Sequence, residues 1–253
     1  YVMDPLAQFV PISLQDLTVQ AELLQRFDTK YIVPLHRLQD VYATLSDNTL
    51  ILENDGKRTT SYVTAYFDSE DLHTYFDHLK KRRKRFKIRT RYYAEPSNGF
   101  LEIKIQLPRG QTRKVRWPLD ISQSGLRLTD EHVLSLNEAL QSSSYQPLSY
   151  QYRQTLTTTF SRTTLFDPAT LERITIDFDL LASTNGASVE LGHRHAIIEI
   201  KSPTQVGHAH RVFTSLGIRP VSVSKYCVAM TALHPEHRGT PWREALRVLR
   251  ATD

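Results

Sequence analysis

The chain has 253 residues, of which 40% are hydrophobic and 23% are charged, so its composition is that of a folded globular protein and excludes a disordered one. The formal net charge is only +5, because 27 carboxylates offset most of the 32 Lys and Arg side chains. Any strong basicity must therefore be local. A local excess favours a polyanion site over a surface that is basic throughout, as in a general nucleic-acid binder.

Cys227 is the only cysteine, and its apolar surroundings, VSKYCVAM, predict a buried small side chain rather than a nucleophile. A single cysteine allows no disulfide within the chain, which favours a reducing compartment. The sequence has no run of about 18 apolar residues and no apolar signal-peptide segment. These features together predict a cytoplasmic location.

The first third of the chain alternates helices with strands. Residues 13–25 have a helical pattern, RFDTKYIV at 26–33 predicts a strand, and a second helix starts at Pro34. TSYVTAYFD at 60–68 is rich in β-branched and aromatic residues, which predicts a strand. A short helix is expected over 71–81.

The stretch KKRRKRFKIRTR at 80–91 has Lys or Arg at nine of its twelve positions. From Arg83 to Arg91 the cations alternate with other residues, and from Phe86 onward these other residues are mostly apolar. A period of two predicts a strand with five cations on one face. For residues 80–84 just before it, a tunnel mouth that attracts polyanions and a solvated loop are both consistent with the sequence.

The remainder of the chain predicts a hairpin and four more strands. FLEIKIQL and QTRKVRWPL flank a turn at residues 108–110, and a helix over 128–143 has Thr129 or Asp130 as its N-cap. Further strands are expected over 150–165 and in three runs, ERITIDFDL, HAIIEIKS and RPVSVSKYCVAM. A helix near 204–216 precedes the last run, and PWREALRVLRA predicts an amphipathic C-terminal helix.

Most of these strands have one apolar and one charged face. Glu102 shares a face with Lys104, and Glu199 shares a face with Lys201. The charged faces either point to water or line the inside of a barrel of about eight strands, whose interior has the size of a ligand. Like charges inside a barrel need compensation, which a polyanion with a divalent metal would supply.

Eight motifs occur in order along the chain: RFDTKY, AYFDS, FKIRTRYY, FLEIK, SRTTL, RITID, IIEIK and SVSKY. Each is weak alone, but together they resemble the polyphosphate-polymerase domain of the vacuolar transporter chaperone (VTC) complex, and more closely its bacterial single-domain relatives. This family is part of the triphosphate tunnel metalloenzyme superfamily. The resemblance covers about residues 20–230, so we expect one domain over 1–253 with a helical tail at about 231–253.

The resemblance implies an α+β fold, a closed antiparallel eight-stranded β-barrel with helices packed outside. It implies a metal-dependent phosphotransferase that moves the γ-phosphate of ATP, or of another nucleoside triphosphate, onto a polyphosphate chain inside a basic tunnel. Polyphosphate, triphosphate and pyrophosphate are the implied ligands. A membrane-protein partner would be compatible with this family.

Matched motif by motif, the resemblance assigns the catalytic phosphate contacts to Lys30, Arg89, Arg91, Lys104, Arg162, Arg173 and Lys225. Further substrate-binding candidates are Arg26, Lys87, Glu102, Lys114, Arg116, Lys201 and Ser224. These residue types suit the chemistry, because Arg binds phosphate oxygens in a planar bidentate way and Lys acts as a point charge. Phosphoryl transfer depends mainly on positioning and charge neutralisation.

For the metal, Glu199 matches the family's carboxylate ligand. Asp177 is a second candidate that could equally pair with an arginine of the barrel interior. Mn²⁺ or Mg²⁺ is the implied ion, since either takes one or two carboxylates and completes its shell with phosphate oxygens and water.

The first strand departs from the related thiamine-triphosphatase and class IV adenylate-cyclase branch, which carries E-x-E-x-K. Here Arg26 and Asp28 replace the two glutamates. Fewer carboxylates are available for a second metal, which favours the polymerase-like branch over a hydrolase or cyclase.

The three alternative functions are a tripolyphosphatase or nucleoside triphosphatase, a non-catalytic polyphosphate-binding module, and nucleic-acid binding. The last requires aromatic side chains on the same face as the cations, and Phe86 and Tyr92 fall on the opposite face, so no nucleic acid is expected. Loss of Glu199 should abolish turnover in an enzyme and leave the affinity of a binding module intact. The two H-x-H pairs, at 193–195 and 208–210, are not expected to bind metal.

Overall fold

The computed structural model of the chain describes residues 4–20, 27–45, 47–93, 98–120, 128–237 and 239–251. The strands within these ranges are β1 Val10–Ile12, β2 Phe27–Pro34, β3 Leu50–Leu52, β4 Thr60–Asp68, β5 Phe86–Tyr93, β6 Asn98–Gln106, β7 Thr112–Asp120, β8 Arg153–Asp167, β9 Glu172–Thr184, β10 Ala187–Leu191 and β11 His195–Ser202. The helices are α1 Leu14–Gln20, α2 Leu38–Thr44, α3 His73–Leu79, α4 Asp130–Gln141, α5 His208–Ser215, α6 Lys225–Leu233 and α7 Arg243–Arg250.

Eight strands form a continuous antiparallel sheet in the order β2-β11-β9-β8-β4-β5-β6-β7. Outside this path, β10 pairs with β9, and β3 joins β8 to the parallel strand β1. The predicted α+β class with an antiparallel sheet is confirmed.

The predicted closure of the barrel is not confirmed. β2 and β7 are the two ends of the strand order, and within the described ranges no ladder joins them. The carbonyl of Lys30 in β2 instead accepts a backbone hydrogen bond of 2.8 Å from Val221. Alternate residues of β7 are exposed, so one face of this strand is open.

The sheet is nevertheless strongly curled. Lys30, in the first strand of the order, donates a hydrogen bond of 3.0 Å to the carbonyl of Val223. Lys87, in the sixth strand, donates one of 3.0 Å to Ser224, the next residue. Two strands so far apart in the order reach one short segment only if the sheet bends round it.

The outer side of the sheet is apolar and covered by helices. Leu136 and Leu140 of α4 pack on Ile88 and Ile103 of neighbouring strands. A second layer joins α2 and α5 to β2, β9 and β11. The alternating sequence of each strand produces this arrangement, because every second side chain points to the same face.

α6 is an exception to the prediction that the helices pack outside. Its residues Tyr226 and Cys227 share a buried core with Ile32 and Ile197. Ile197 is a register partner of both Ile32 and Asp177, so this core lies on the charged side of the sheet. Full burial of Cys227 confirms the prediction for the cysteine.

The strand predicted from Arg83 begins only at Phe86, so three cations rather than five alternate along it. Just before it, Lys81 adopts a positive φ of 51°, and the backbone N–H of Arg82 bonds to the carbonyl of Asp77 at 2.9 Å. These contacts turn the chain around the end of α3, which prevents β5 from starting earlier.

The run RPVSVSKYCVAM, predicted as a strand, is extended only as far as Ser224 and then becomes α6. The Ser224 hydroxyl accepts a hydrogen bond from the backbone N–H of Cys227 and so forms the N-cap. The β-branched residues before Ser224 led to the strand prediction, whereas the N-cap at Ser224 starts a helix.

Candidate functional site

One side of the curled sheet, called here the charged face, carries most of the predicted site residues. Register pairing places on it Asp28, Lys30, Lys87, Arg89, Arg91, Glu102, Lys104, Lys114, Arg116, Arg162, Arg173, Asp177, Glu199 and Lys201. Lys225 reaches the same face from the first turn of α6. Among the described residues of this face, the eleven cations named here outnumber the carboxylates, which are the four named here and, by the same register, Asp68 and Asp120.

Glu102 is buried between two of these cations. It accepts a hydrogen bond of 2.6 Å from Arg89 and pairs with Lys114. Burial opposes ionisation of the Glu102 carboxyl, but Arg89 and Lys114 outweigh it and lower its pKa to about 2. Glu102 therefore orients two cations, and its contact with substrate stays a prediction.

Asp177 forms the most extensive ion pair of the face. Its carboxylate accepts two hydrogen bonds from Arg162, of 2.5 and 2.7 Å, and one from Lys225. Burial opposes ionisation, but Lys225 and Arg162 outweigh it and lower the pKa of Asp177 to about 2. Both oxygens are engaged, which favours the ion-pair role over the metal role.

Glu199 is the carboxylate best placed to meet a metal. It lies 2.8 Å from Lys201 and 3.8 Å from Lys30, and 22% of its side chain is exposed. Burial opposes ionisation, but Lys201 and Lys30 hold the pKa of Glu199 well below its usual range. An ionised, accessible oxygen donor fits Mn²⁺ or Mg²⁺ bound by one carboxylate with phosphate oxygens and water.

Asp28 is a weak candidate for a second ligand of a metal at Glu199, because it lies beside Lys201. Its carboxylate lies 3.5 Å from Lys201, on the strand next to Glu199. With Asp177 also engaged, the described residues do not form a closed protein cage. The donor set therefore leaves most of the coordination shell of a metal at Glu199 to other oxygen ligands, such as phosphate and water.

Four cations of the charged face, Lys87, Arg91, Lys104 and the exposed Arg116, form no ion pair with a described carboxylate. Burial and the neighbouring Lys30 lower the pKa of Lys104 to about 8. Burial, followed by like charge nearby, lowers the pKa of Arg91 to about 10. For both groups burial is the larger cause of the lowered pKa, and the like charges nearby add to it.

Two aromatic residues, Tyr62 and Phe160, line the charged face and were not predicted as site residues. Their rings stack 5.4 Å apart, and the Arg91 guanidinium lies 5.3 Å from Tyr62 and 5.8 Å from Phe160. Lys225 lies 4.8 Å from Phe160. Cation–π contacts hold these cations in place without cancelling their charge. Tyr62 and Thr64 are two residues apart on one strand and therefore share a face, and Thr64 is the register partner of Arg91. Strand parity could therefore have indicated that Tyr62 lies on the charged face.

The remaining candidates have varied positions. Arg173 is the register partner of Lys201, and the exposed Arg116 stacks over Phe100 at 4.8 Å. Ser224 accepts the hydrogen bond from Lys87 and caps α6. Arg26 lies outside the described residues.

Asp179 is two residues after Asp177 in the same strand, but it does not lie on the charged face. A bulge interrupts the pairing of β8 with β9 between Thr159 and Ser161, and Asp179 adopts a positive φ of 55° there. Its side chain is exposed and lines a small surface pocket with Glu190.

The basic stretch 80–85 lies at one mouth of the curled sheet. A cavity of about 260 Å³ is lined by Lys81 and Arg85 from this stretch and by Lys87 and Lys104 from the charged face. The arrangement supports the interpretation of residues 80–84 as part of a mouth, since Lys81 shares a cavity with two site lysines.

The fold of this chain is similar to that of several proteins of known structure. A Bacillus halodurans protein suggested to be an adenylate cyclase is 16% identical, with a TM-score of 0.50 over 79% of this chain and 93% of that one. A Hippeastrum protein suggested to be an adenylyl cyclase, described as having a dominant triphosphatase activity, is 15% identical, with a TM-score of 0.50 over 82% and 96%. At these identities the likeness concerns the fold alone.

Residues 25–234 match the VTC domain, and the chain belongs to this family. The resemblance drawn from the eight motifs is thereby confirmed. No match was found among curated proteins. Within the described ranges, every helix is too short or too polar to span a bilayer.

Proposed function

We propose that the chain is a metal-dependent polyphosphate polymerase, which transfers the γ-phosphate of ATP onto a polyphosphate chain held against the charged face. The observation that carries the proposal is the excess of cations over carboxylates among the described residues on the charged face of the curled sheet. Such an excess is costly unless a polyanion neutralises it.

In this proposal the cations have two roles. Lys87, Arg91 and Lys104, which form no ion pair with a described carboxylate, bind phosphate oxygens directly. Arg89 and Arg162 are held in fixed orientations by Glu102 and Asp177, so their remaining N–H groups are pre-organised for phosphate. Lys30, Arg173 and Lys225 complete the phosphate contacts.

Glu199 would hold Mn²⁺ or Mg²⁺, which supplies charge neutralisation at the phosphate oxygens when it is bound. A terminal oxygen of the polyphosphate attacks the γ-phosphorus of ATP, the bond to the β-phosphate oxygen breaks, and ADP leaves. The chain's own residues align the two phosphate groups and stabilise the negative charge of the transition state.

A triphosphatase is the second candidate, in which water replaces the polyphosphate acceptor. The fold likeness to the Hippeastrum protein described as a triphosphatase favours it. The first strand argues against a triphosphatase. Among its described residues it has one carboxylate, Asp28, and this carboxylate lies beside Lys201. A polyphosphate-binding module is the third candidate. A cytoplasmic location, which the single cysteine favours, and a membrane-protein partner, which is compatible with the family, are further proposals.

The test is to incubate the protein with ATP and Mn²⁺ or Mg²⁺ and to resolve the products on a gel stained for polyphosphate, with free phosphate measured in parallel. Long chains that are absent with Glu199→Gln would support the polymerase. Free phosphate without chains would transfer the proposal to the triphosphatase. If neither product forms while triphosphate still binds, the enzymatic proposal is wrong.

A further inference from the structure

A second group of metal-ligating side chains lies outside the charged face, in the turn that follows α6. This turn reads His234-Pro-Glu-His237, and its last three residues form a 3-10 helix. The ligand atoms of His234, Glu236 and His237 all lie within 4.8 Å of one another. Within the described ranges, no other cluster of His, Cys, Asp and Glu meets this distance.

Both imidazoles face the same carboxylate oxygen. Nδ1 of His234 lies 3.1 Å, and Nε2 of His237 lies 3.5 Å, from Oε1 of Glu236. A tetrahedral zinc ion with bonds of about 2.0–2.1 Å requires ligand atoms about 3.3 Å apart. Two of the three separations already match this value, and the third pair, within 4.8 Å, needs only a small side-chain movement.

The turn is held in place by packing on both sides. The His237 ring makes an edge contact of 5.2 Å with Phe76 of α3 and lies 6.4 Å from Tyr75. A Cβ at Gly239 would come within 2.2 Å of the Thr231 hydroxyl, so the chain after the turn lies directly on α6. A ligand set held by its surroundings loses less conformational entropy when a metal binds.

We propose that His234, Glu236 and His237 bind a zinc-class divalent cation, at a site separate from the metal expected at Glu199. Two imidazoles and one carboxylate form a ligand set that zinc accepts, with a fourth position left for water. Mg²⁺ and Mn²⁺ prefer oxygen ligands, so the two sites select different ions. The sites are also apart, because the nine residues of α6 extend about 13 Å between Lys225 and the turn.

The proposed site would stabilise the turn that joins α6 to the C-terminal segment. α6 carries Lys225 at its first residue, and its far end would be fixed by the bound ion. The inference does not rest on the proposed enzymatic activity, because it concerns binding at residues that do not touch the charged face.

The experiment uses the full chain carrying Glu199→Gln, which removes the metal carboxylate of the charged face. Zn²⁺ is titrated by calorimetry, and Co²⁺ is used as a spectroscopic probe of tetrahedral coordination. We expect one equivalent of Zn²⁺ to bind, and the double variant His234→Gln/His237→Gln to weaken this binding at least tenfold. The control is His36→Gln/His193→Gln, which changes two exposed histidines elsewhere and should bind as before.

Circular dichroism and a metal-free melting curve establish that each variant folds. If the double variant loses its fold, Glu236→Gln alone serves, because it removes one ligand from an exposed position. Unchanged Zn²⁺ binding in the folded ligand variants would overturn the proposal, as would the absence of stoichiometric binding in the parent chain. An equal loss in the His36/His193 control would also overturn it, because binding would then be non-specific.

Discussion

Tyr226 donates a hydrogen bond of 2.6 Å to the fully buried carboxylate of Asp68. The same carboxylate accepts backbone N–H bonds from Ser69, Thr74 and Tyr75, at 2.8 to 2.9 Å. Asp68 thus joins the end of β4, the start of α3 and the first turn of α6. Because Tyr226 follows Lys225 directly, this joint also fixes a cation of the charged face.

Replacement of Asp68 should destabilise the protein. Asp68→Asn keeps the size of the side chain but leaves one acceptor oxygen where four donors converge, so we expect a loss of about 3 kcal/mol in the free energy of unfolding, measured by urea denaturation. Tyr226→Phe removes one of the four bonds and should cost about 1.5 kcal/mol. Equal losses in the two variants would contradict the view that Asp68 is the centre of the joint.

Replacement of Arg162 and replacement of Arg91 should have different effects on the free energy of unfolding, although both side chains contact Tyr62 and Phe160. Arg162→Ala leaves the buried Asp177 with Lys225 alone, so stability should fall by about 2 kcal/mol. Arg91→Ala removes a cation whose pKa is lowered to about 10 by burial and like charge, so stability should hold or rise.

Arg91→Ala and Arg162→Ala can also be compared by their affinity for inorganic triphosphate. Arg91→Ala should weaken binding about tenfold or more, since its guanidinium forms no ion pair with a described carboxylate and is free to bind phosphate. Calorimetry with the two purified variants measures this. A folded Arg91→Ala protein with unchanged affinity would remove Arg91 from the phosphate site.

Triphosphate binding should weaken as the pH rises through about 8. Burial and the neighbouring Lys30 lower the pKa of Lys104 to about 8, and only the protonated amine attracts the anion. The contribution of Lys104 is therefore present below pH 8 and lost above it. Lys104→Arg keeps the charge at high pH and should flatten the decline between pH 7 and 9, measured in the same buffers so that the ligand's own ionisation cancels. Parallel pH profiles would exclude Lys104 as the titrating group.

Lys81, at the mouth, should affect the rate of association more than the affinity. It is exposed and lines the cavity that Lys87 and Lys104 share, so it adds to the field that attracts a polyanion. Lys81→Ala should slow the association of long polyphosphate at low salt, and the difference should disappear at high salt. Arg211→Ala removes one exposed charge from α5 and serves as the control; an equal effect there would indicate net charge rather than position.

Much of the site could be predicted because it depends on strand parity. The alternation that puts Arg89 with Arg91, and Glu199 with Lys201, is a property of consecutive residues, and the structure places all four on one face. The start of β5 was misplaced because a turn after α3, stabilised by a backbone bond to Asp77, overrides the alternation of Arg83 and Arg85.

The sequence by itself determined the antiparallel strands, their apolar and charged faces, and the family. Only the tertiary structure decided which charges pair: Asp177 with Arg162 and Lys225, Glu102 with Arg89 and Lys114. It also decided that α6 packs on the charged side and that β2 and β7 are not paired within the described ranges. The reason is physical, because parity is set by neighbouring residues, whereas pairing and closure depend on how far the whole sheet curls and on what fills its interior.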